Sequence, residues 1–174
     1  MNLFLTLLVA IGLSMDAFSL SLLYGTLGMA KSQKFYLSMI TGVFHFIMPL
    51  LGLLFGNFLF SFVNMDTNII VMIILCFIGV QMVFSSFKNE KVSYLSISGY
   101  FLFAFAVSID SFSVGITLSG SSNVFLSPLI FSVMSFTFTF LGLLLGDKIY
   151  NVFGKISTII GGLILIIVGL SYLF

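Results

Sequence analysis

Two aspartates in this chain stand where carboxylates are expensive. Asp16 lies in Gly12-Leu13-Ser14-Met15-Asp16-Ala17-Phe18-Ser19, and Asp110 in Ala106-Val107-Ser108-Ile109-Asp110-Ser111-Phe112-Ser113. Each sits inside an apolar run long enough to cross a bilayer, where a carboxylate at a helix centre costs about 2.5–3.5 kcal/mol. Packing does not require that cost, and the same Asp-x-Phe-Ser order recurs in both places. Hard divalent cations take carboxylate, carbonyl and water ligands and tolerate imidazole. A facing pair of carboxylates in a membrane is therefore a candidate cation site.

Helical spacing sorts the neighbouring residues. Gly12, Asp16 and Ser19 share one face of the first run, and Ala106, Asp110, Ser113 and Thr117 share the matching face of the fourth. Ser19 and Ser113 can thus help hold an ion or its water. Ser14 and Ser21, matched by Ser108 and Gly115, fall on the opposite face and are expected to pack against neighbouring helices. The second run presents Ser38, Gly42, His45, Pro49, Gly52 and Gly56; the fifth presents Ser132, Ser135, Thr139, Gly142 and Gly146. Pro49 frees the carbonyl of His45 one turn earlier. Two roles stay open for His45: metal ligand, or hydrogen-bond partner and proton acceptor for an aspartate. The candidate metal set is Asp16, Asp110, His45, Ser19, Ser113 and Thr139.

The elements that must position these residues follow from composition. Of the 174 residues, 60% are hydrophobic and 6% charged, against about a quarter charged in a soluble domain. The chain reads as a single all-α integral membrane domain over residues 1–174. Windows of about 20 apolar residues place six transmembrane helices near 3–24, 37–63, 69–87, 94–118, 128–146 and 156–174. Polar turns are expected at Asn64–Asn68, Ser119–Asn123 and Asp147–Lys155, with Lys88–Lys91 as the midpoint. All six lysines fall in the first, third and fifth connections, which makes that side cytoplasmic and puts both termini outside.

The halves, about 1–87 and 94–174, read as repeats. Asp16 aligns with Asp110, Leu51–Gly56 with Leu141–Gly146, and Ile78-Gly79-Val80 with Val168-Gly169-Leu170. The alignment offset changes by four residues after the first span of each half. Three spans per half is an odd number, so the repeats are inverted, an arrangement that places a transporter's substrate site near midplane at the repeat interface. Asp16 arrives from outside and Asp110 from the cytoplasm, at about the same depth.

Several residues resemble a known family. Leu13–Phe18, Met48-Pro49-Leu50-Leu51-Gly52, Ser108-Ile109-Asp110-Ser111 and Gly161-Gly162-Leu163 are similar to motifs of the bacterial manganese efflux pumps (MntP type, in the lysine-exporter-like superfamily). The resemblance covers essentially the whole chain. It implies a multi-pass inner-membrane exporter with Mn²⁺ as transported substrate, no cofactor, and the motif aspartates at Asp16 and Asp110. Relatives commonly carry Glu or Gln in place of His45. The Ser108–Gly115 pattern also resembles a sporulation-associated branch of the superfamily, so a membrane scaffold with no transported ion is the alternative.

Energetics bear on mechanism. Moving a divalent cation outward against an interior-negative potential costs about 4.6 kcal/mol at 100 mV. No GxxxxGK[ST] stretch is present to use a nucleotide, so proton exchange through the two aspartates, by alternating access, is the expected drive. A channel-like path driven by the metal's own gradient is the uncoupled alternative. An intramembrane aspartyl protease would want a GxGD pattern, which neither aspartate has, so no enzyme is expected. A small organic cation would want a larger cavity than Phe- and Leu-rich spans suggest. Expected partners are a divalent metal ion and the lipid bilayer, with a homo-oligomer allowed. A net charge of +1 gives no basis for a nucleic-acid partner.

Overall fold

The computed structural model describes residues 3–60, 67–85, 87, 96–118 and 125–173, and the side chains of residues 59–60, 67, 82, 85, 147, 149–155 and 173 fall outside the description. Among the described residues the regular structure is entirely helical: α1 (Leu3–Gly25), α2 (Lys31–Phe60), α3 (Thr67–Ser85), α4 (Ile97–Thr117) and α5 (Leu126–Leu170), with a short 3₁₀ turn at Ser171–Leu173. Among the described residues four segments are long and apolar enough to cross a membrane: Leu3–Gly25, Lys31–Phe58, Ile97–Thr117 and Leu126–Gly146. Two shorter apolar stretches, Asn68–Gln81 and Ile156–Leu170, complete the bundle. Large apolar side chains such as Leu54, Phe77, Leu102 and Ile167 remain more than 60% exposed on the outside of the bundle. That is how a helix surface that meets acyl chains is built, since burial of backbone polar groups within helices leaves only side chains for lipid.

Two boundaries differ from expectation. The helix expected from about residue 37 begins at Lys31, so Lys34 is part of α2 and is buried, donating from Nζ to the carbonyl of Leu143 at 2.7 Å. A hydropathy window ends at a lysine, whereas the helix continues because that lysine finds a carbonyl to bond. The second difference is the expected turn at Asp147–Lys155, which is helical: α5 carries the fifth and sixth apolar segments in one run. The run is nevertheless not straight. Gly142 packs on the carbonyl of Phe18, while Gly12 packs on the carbonyl of Gly161 and the side chain of Leu165. Residues 142 and 161 would stand about 28 Å apart on a straight helix, and residues 12 and 18 on α1 only about 9 Å. The helix therefore bends between its arms, and both arms, α5a (126–146) and α5b (156–170), lie against α1. The polar segments expected at 64–66, 88–91 and 119–123 lie outside the described residues.

Small residues set the helix pairs. α1 runs parallel to α5a: Phe18 stacks edge-on with Phe138, Ser21 meets Gly142, and Gly25 meets Gly146. α2 runs parallel to α4: Phe44 meets Phe105, Gly52 lies against the carbonyl of Phe112, and Pro49 lies against Gly115. α2 and α5a cross in opposite directions, with Gly42 on Ser132 and Phe136. α3 and α5b form an antiparallel pair in which Gly79 meets Gly162 and Ile166, and Gly169 meets Leu75 and Cys76. Without a hydrophobic driving force between helices in lipid, such close backbone approach is what holds them.

The core divides into two clusters. One gathers Val9, Leu13, Val114, Leu118, Leu75, Leu165 and Val168. The other gathers Ala17, Leu37, Tyr100, Phe103, Val107 and Leu143. The end holding this second cluster also carries Lys31 and Lys34 at the start of α2 and Lys148 just beyond α5a, and is called the lysine end below.

Candidate functional site

Asp16 and Asp110 occupy the middle of one seam. α1 and α4 run in opposite directions, with Tyr24 edge-on to Phe103 at 5.1 Å at the lysine end. At the far end Val9 and Leu118 are buried in one cluster. Midway between these pairs lie Asp16 on α1 and Asp110 on α4. Both are half-buried, with buried Ala17 and Ser111 as the next residues along their helices. Ser19 and Ser113, one turn along, are half-buried too.

The adjoining helices bring two further candidates to within about a turn of this level. The register that sets Phe18 against Phe138 and Ser21 against Gly142 puts Thr139 level with Phe18 and Ser19, up to a turn from Asp16 toward the lysine end. Thr139 is fully buried, and its Oγ1 has no hydrogen-bond partner among the described residues. On the other side, Gly52 against Phe112 and Phe44 against Phe105 put Pro49 level with Asp110 and His45 about one turn toward the lysine end. Sequence order alone does not reveal that Pro49 is abreast of Asp110 or that Thr139 lies within a turn of Asp16.

His45 is buried, 1% exposed, and its orientation is set by α2 itself. Its Nδ1 lies 3.0 Å from the carbonyl of Thr41. A carbonyl only accepts, so Nδ1 carries the proton and Nε2 presents its lone pair. Nε2 has no partner among the described residues. An imidazole held this way can take a proton or a metal at Nε2. The same stripe ties down its own hydroxyls: Ser38 donates to the Lys34 carbonyl at 2.8 Å and Thr41 to the Leu37 carbonyl at 2.9 Å.

Two groups of serines and threonines separate. Ser108 donates to the Phe105 carbonyl and Thr117 to the Val114 carbonyl, so both are satisfied within α4. Thr117, on the aspartate face by spacing, is thereby less available to an ion. Ser14, Ser21, Ser111 and Ser135 are buried with hydroxyls that find no partner among the described residues. Ser21 sits against Gly142, where a Cβ added at 142 would come 2.7 Å from Ser21 Cβ. Ser111 and Ser135 were not singled out as ligands by sequence; a buried unbonded hydroxyl is a structural signal that spacing does not carry.

Among the described residues, no three His, Cys, Asp or Glu side chains gather at one point. A cation at this seam would therefore draw on hydroxyls, carbonyls or water besides the carboxylates, which suits a hard ion. Cys76, the single cysteine, sits on α3 with its Sγ 3.8 Å from the Ile166 carbonyl and belongs to the α3–α5b packing.

Comparison with known proteins decides the family. The sequence profile described as "Putative manganese efflux pump" matches residues 28–173. The chain belongs to the manganese efflux pump family. Relatives of that family, each named "Putative manganese efflux pump MntP", include one from Bacillus velezensis, 41% identical over 95% of this chain and 91% of its own length. One from Bacillus pumilus is 37% identical over 96% and 92%, and one from Geobacillus thermodenitrificans is 38% identical over 96% and 93%. No solved structure matches. Membership in an efflux pump family, together with four helices fit to cross a membrane, makes this a multi-pass membrane protein of the transporter class.

Proposed function

We propose that the chain exports a divalent cation, Mn²⁺, from the cytoplasm through the α1–α4 seam, with Asp16 and Asp110 as its principal ligands. The observation that carries this reading is the position of the two carboxylates, half-buried at the midpoint of an antiparallel seam in a member of this family. Ser19, Thr139 and Ser113, each within about a turn of an aspartate, supply neutral oxygens. His45 Nε2, a turn toward the lysine end, is placed to accept a proton or to meet the ion on its way.

The inverted-repeat reading draws support from matched contacts. Gly142 meets the Phe18 carbonyl, and its counterpart Gly52 meets the Phe112 carbonyl. Gly79 meets Ile166, and its counterpart Gly169 meets Cys76, the counterpart of Ile166. Contacts that map onto one another when the halves are exchanged are what a two-fold relation between halves produces. In this arrangement each half lends its first helix to the middle helix of the other. Alternating access by proton exchange at the aspartates is the mechanism that this symmetry fits.

The test is growth of cells expressing the chain under a panel of toxic divalent metals, beside Asp16→Asn and Asp110→Asn. Rescue from Mn²⁺, lost at least tenfold in both variants at equal expression, is the expected outcome. Rescue that survives both substitutions would remove the aspartates from the site, and no rescue from any metal would favour the scaffold alternative.

A further inference from the structure

The two ends of the α1–α4 seam are not equivalent, although the residues that line them correspond. At the lysine end a groove opens between the helices, lined by Leu20, Tyr24, Leu102, Phe103 and Ala106 among others. The corresponding residues at the far end are Val114, Leu118, Leu8, Val9 and Gly12. Of these Val114, Leu118, Val9 and Gly12 are buried and Leu8 packs against the same cluster. Leu102 is 69% exposed.

The cause lies in the α3–α5b pair. α5b is seated on α1: a Cβ added at Gly12 would come 3.0 Å from Leu165 Cδ2 and 3.3 Å from the Gly161 carbonyl oxygen. The counterpart of Gly12 is Ala106, and the counterparts of Gly161 and Leu165 are Val71 and Leu75 on α3. That second seat is empty: Ala106 lies exposed in the groove, α3 meets α4 only sparsely, and Val71 and Leu75 are turned into the far cluster with Leu165. Meanwhile α3 and α5b pack closely on each other at Gly79 and Gly169, where an added Cβ would come 2.5 Å from the Gly162 carbonyl oxygen and 2.9 Å from Cys76 Sγ.

We propose that α3 and α5b form one rocking unit, which closes the far end by seating Gly161 and Leu165 on Gly12, and in the alternate state closes the lysine end by seating Val71 and Leu75 on Ala106. The structure holds the first of these states. The inference rests on the inverted-repeat transporter reading above, and it names the part that moves. Exchange of the two halves' conformations generates the second state without any new contact type, as expected for rocking of one bundle against another around a fixed site. A small residue stands at each landing place, glycine at 12 and alanine at 106; the alanine makes the second seat the tighter one, since a Cβ at 12 would already come 3.0 Å from Leu165 Cδ2.

The test uses the full chain in proteoliposomes with Cys76 replaced by alanine. Gly12→Cys with Leu165→Cys should oxidise to a disulfide at rest. Ala106→Cys with Leu75→Cys should oxidise as well, faster while Mn²⁺ is being moved, and each disulfide should stop Mn²⁺ flux until reduced. Ala106→Cys with Phe77→Cys, the latter 68% exposed on the outside of the bundle, should stay reduced. Independently, Ala106→Leu should fill the landing place, hold the observed state and cut flux at least tenfold. In that variant Leu102→Cys should stay open to a water-soluble maleimide, whereas Ala106→Gly should keep normal flux. The proposal is overturned if the Ala106/Leu75 pair stays reduced while the same variant carries Mn²⁺, or if Ala106→Leu transports at the normal rate. Oxidation of that pair in a chain that moves no Mn²⁺ would instead overturn the metal assignment and leave the rocking unit standing.

Discussion

His45 separates folding from function more cleanly than the aspartates do. Its Nδ1 bond to Thr41 is made within one helix, and its Nε2 lone pair is buried with no partner among the described residues. A buried unsatisfied polar atom costs about 1–3 kcal/mol, while an apolar replacement of similar shape can be close to neutral. His45→Phe is therefore expected to leave thermal stability in detergent within about 1 kcal/mol of the parent. If Nε2 takes part in moving the ion or a proton, the same variant loses Mn²⁺ flux by tenfold or more. A variant that keeps both stability and flux would make His45 a packing residue. At this scale the sequence reveals costly residues well: Asp16 and Asp110 stand out because a carboxylate inside an apolar span is expensive. It reveals poorly those residues whose neighbours come from elsewhere. Thr139 gains its place within a turn of Asp16 only through the α1–α5a register, and Lys34 is buried only because the Leu143 carbonyl lies within reach.

Between elements, glycine contacts decide which helices pair. A Cβ at Gly115 would come 2.7 Å from Pro49 Cα, and Pro49 is backbone that cannot swing away. Gly115→Ala is thus an overpacking substitution at the α2–α4 crossing, with a typical cost of about 1–3 kcal/mol. Gly28 offers the contrast. It has a positive φ of 66° with nothing within 4 Å of an added Cβ, so Gly28→Ala pays only the left-handed backbone strain of roughly 1–2 kcal/mol. Thermal unfolding in detergent should show losses in both, but only Gly115→Ala should also reduce Mn²⁺ flux, because it parts the helix that carries Asp110 from its partner. Equal flux in the two variants would mean that the α2–α4 approach does not position the site. Run length makes the individual helices legible, but the pairing of α1 with α5a and of α2 with α4 is not. Glycines mark a surface that allows close approach without naming the surface that approaches it. The helical continuity of α5 through its bend is hidden for a related reason, since polar residues between two apolar runs are read as a turn whether or not the backbone leaves the helix.

For the molecule as a whole, the decisive quantity is charge moved per cycle. An ion carried alone moves two charges across the membrane, and a potential of 100 mV then shifts its equilibrium by about 4.6 kcal/mol, a factor of roughly 2,000 in concentration ratio. The seam has two carboxylates, and the helices that bear them are related by the matched contacts at Gly142 and Gly52. If each carboxylate releases one proton when Mn²⁺ arrives and regains it when Mn²⁺ leaves, the cycle moves no net charge. Mn²⁺ accumulation in everted vesicles should then be indifferent to a potassium diffusion potential set with valinomycin, and should collapse when nigericin abolishes the pH gradient. The uncoupled path predicts the reverse, because its only driving forces are the metal gradient and the potential. Asp110→Asn adds a discriminating arm: one exchangeable proton remains, so any residual Mn²⁺ movement becomes electrogenic and should acquire the potential dependence that the parent lacks. Flux through the unaltered chain that follows the potential and ignores the pH gradient would rule out paired proton exchange. Asp16 and Asp110 would then remain as ligands along a passive route.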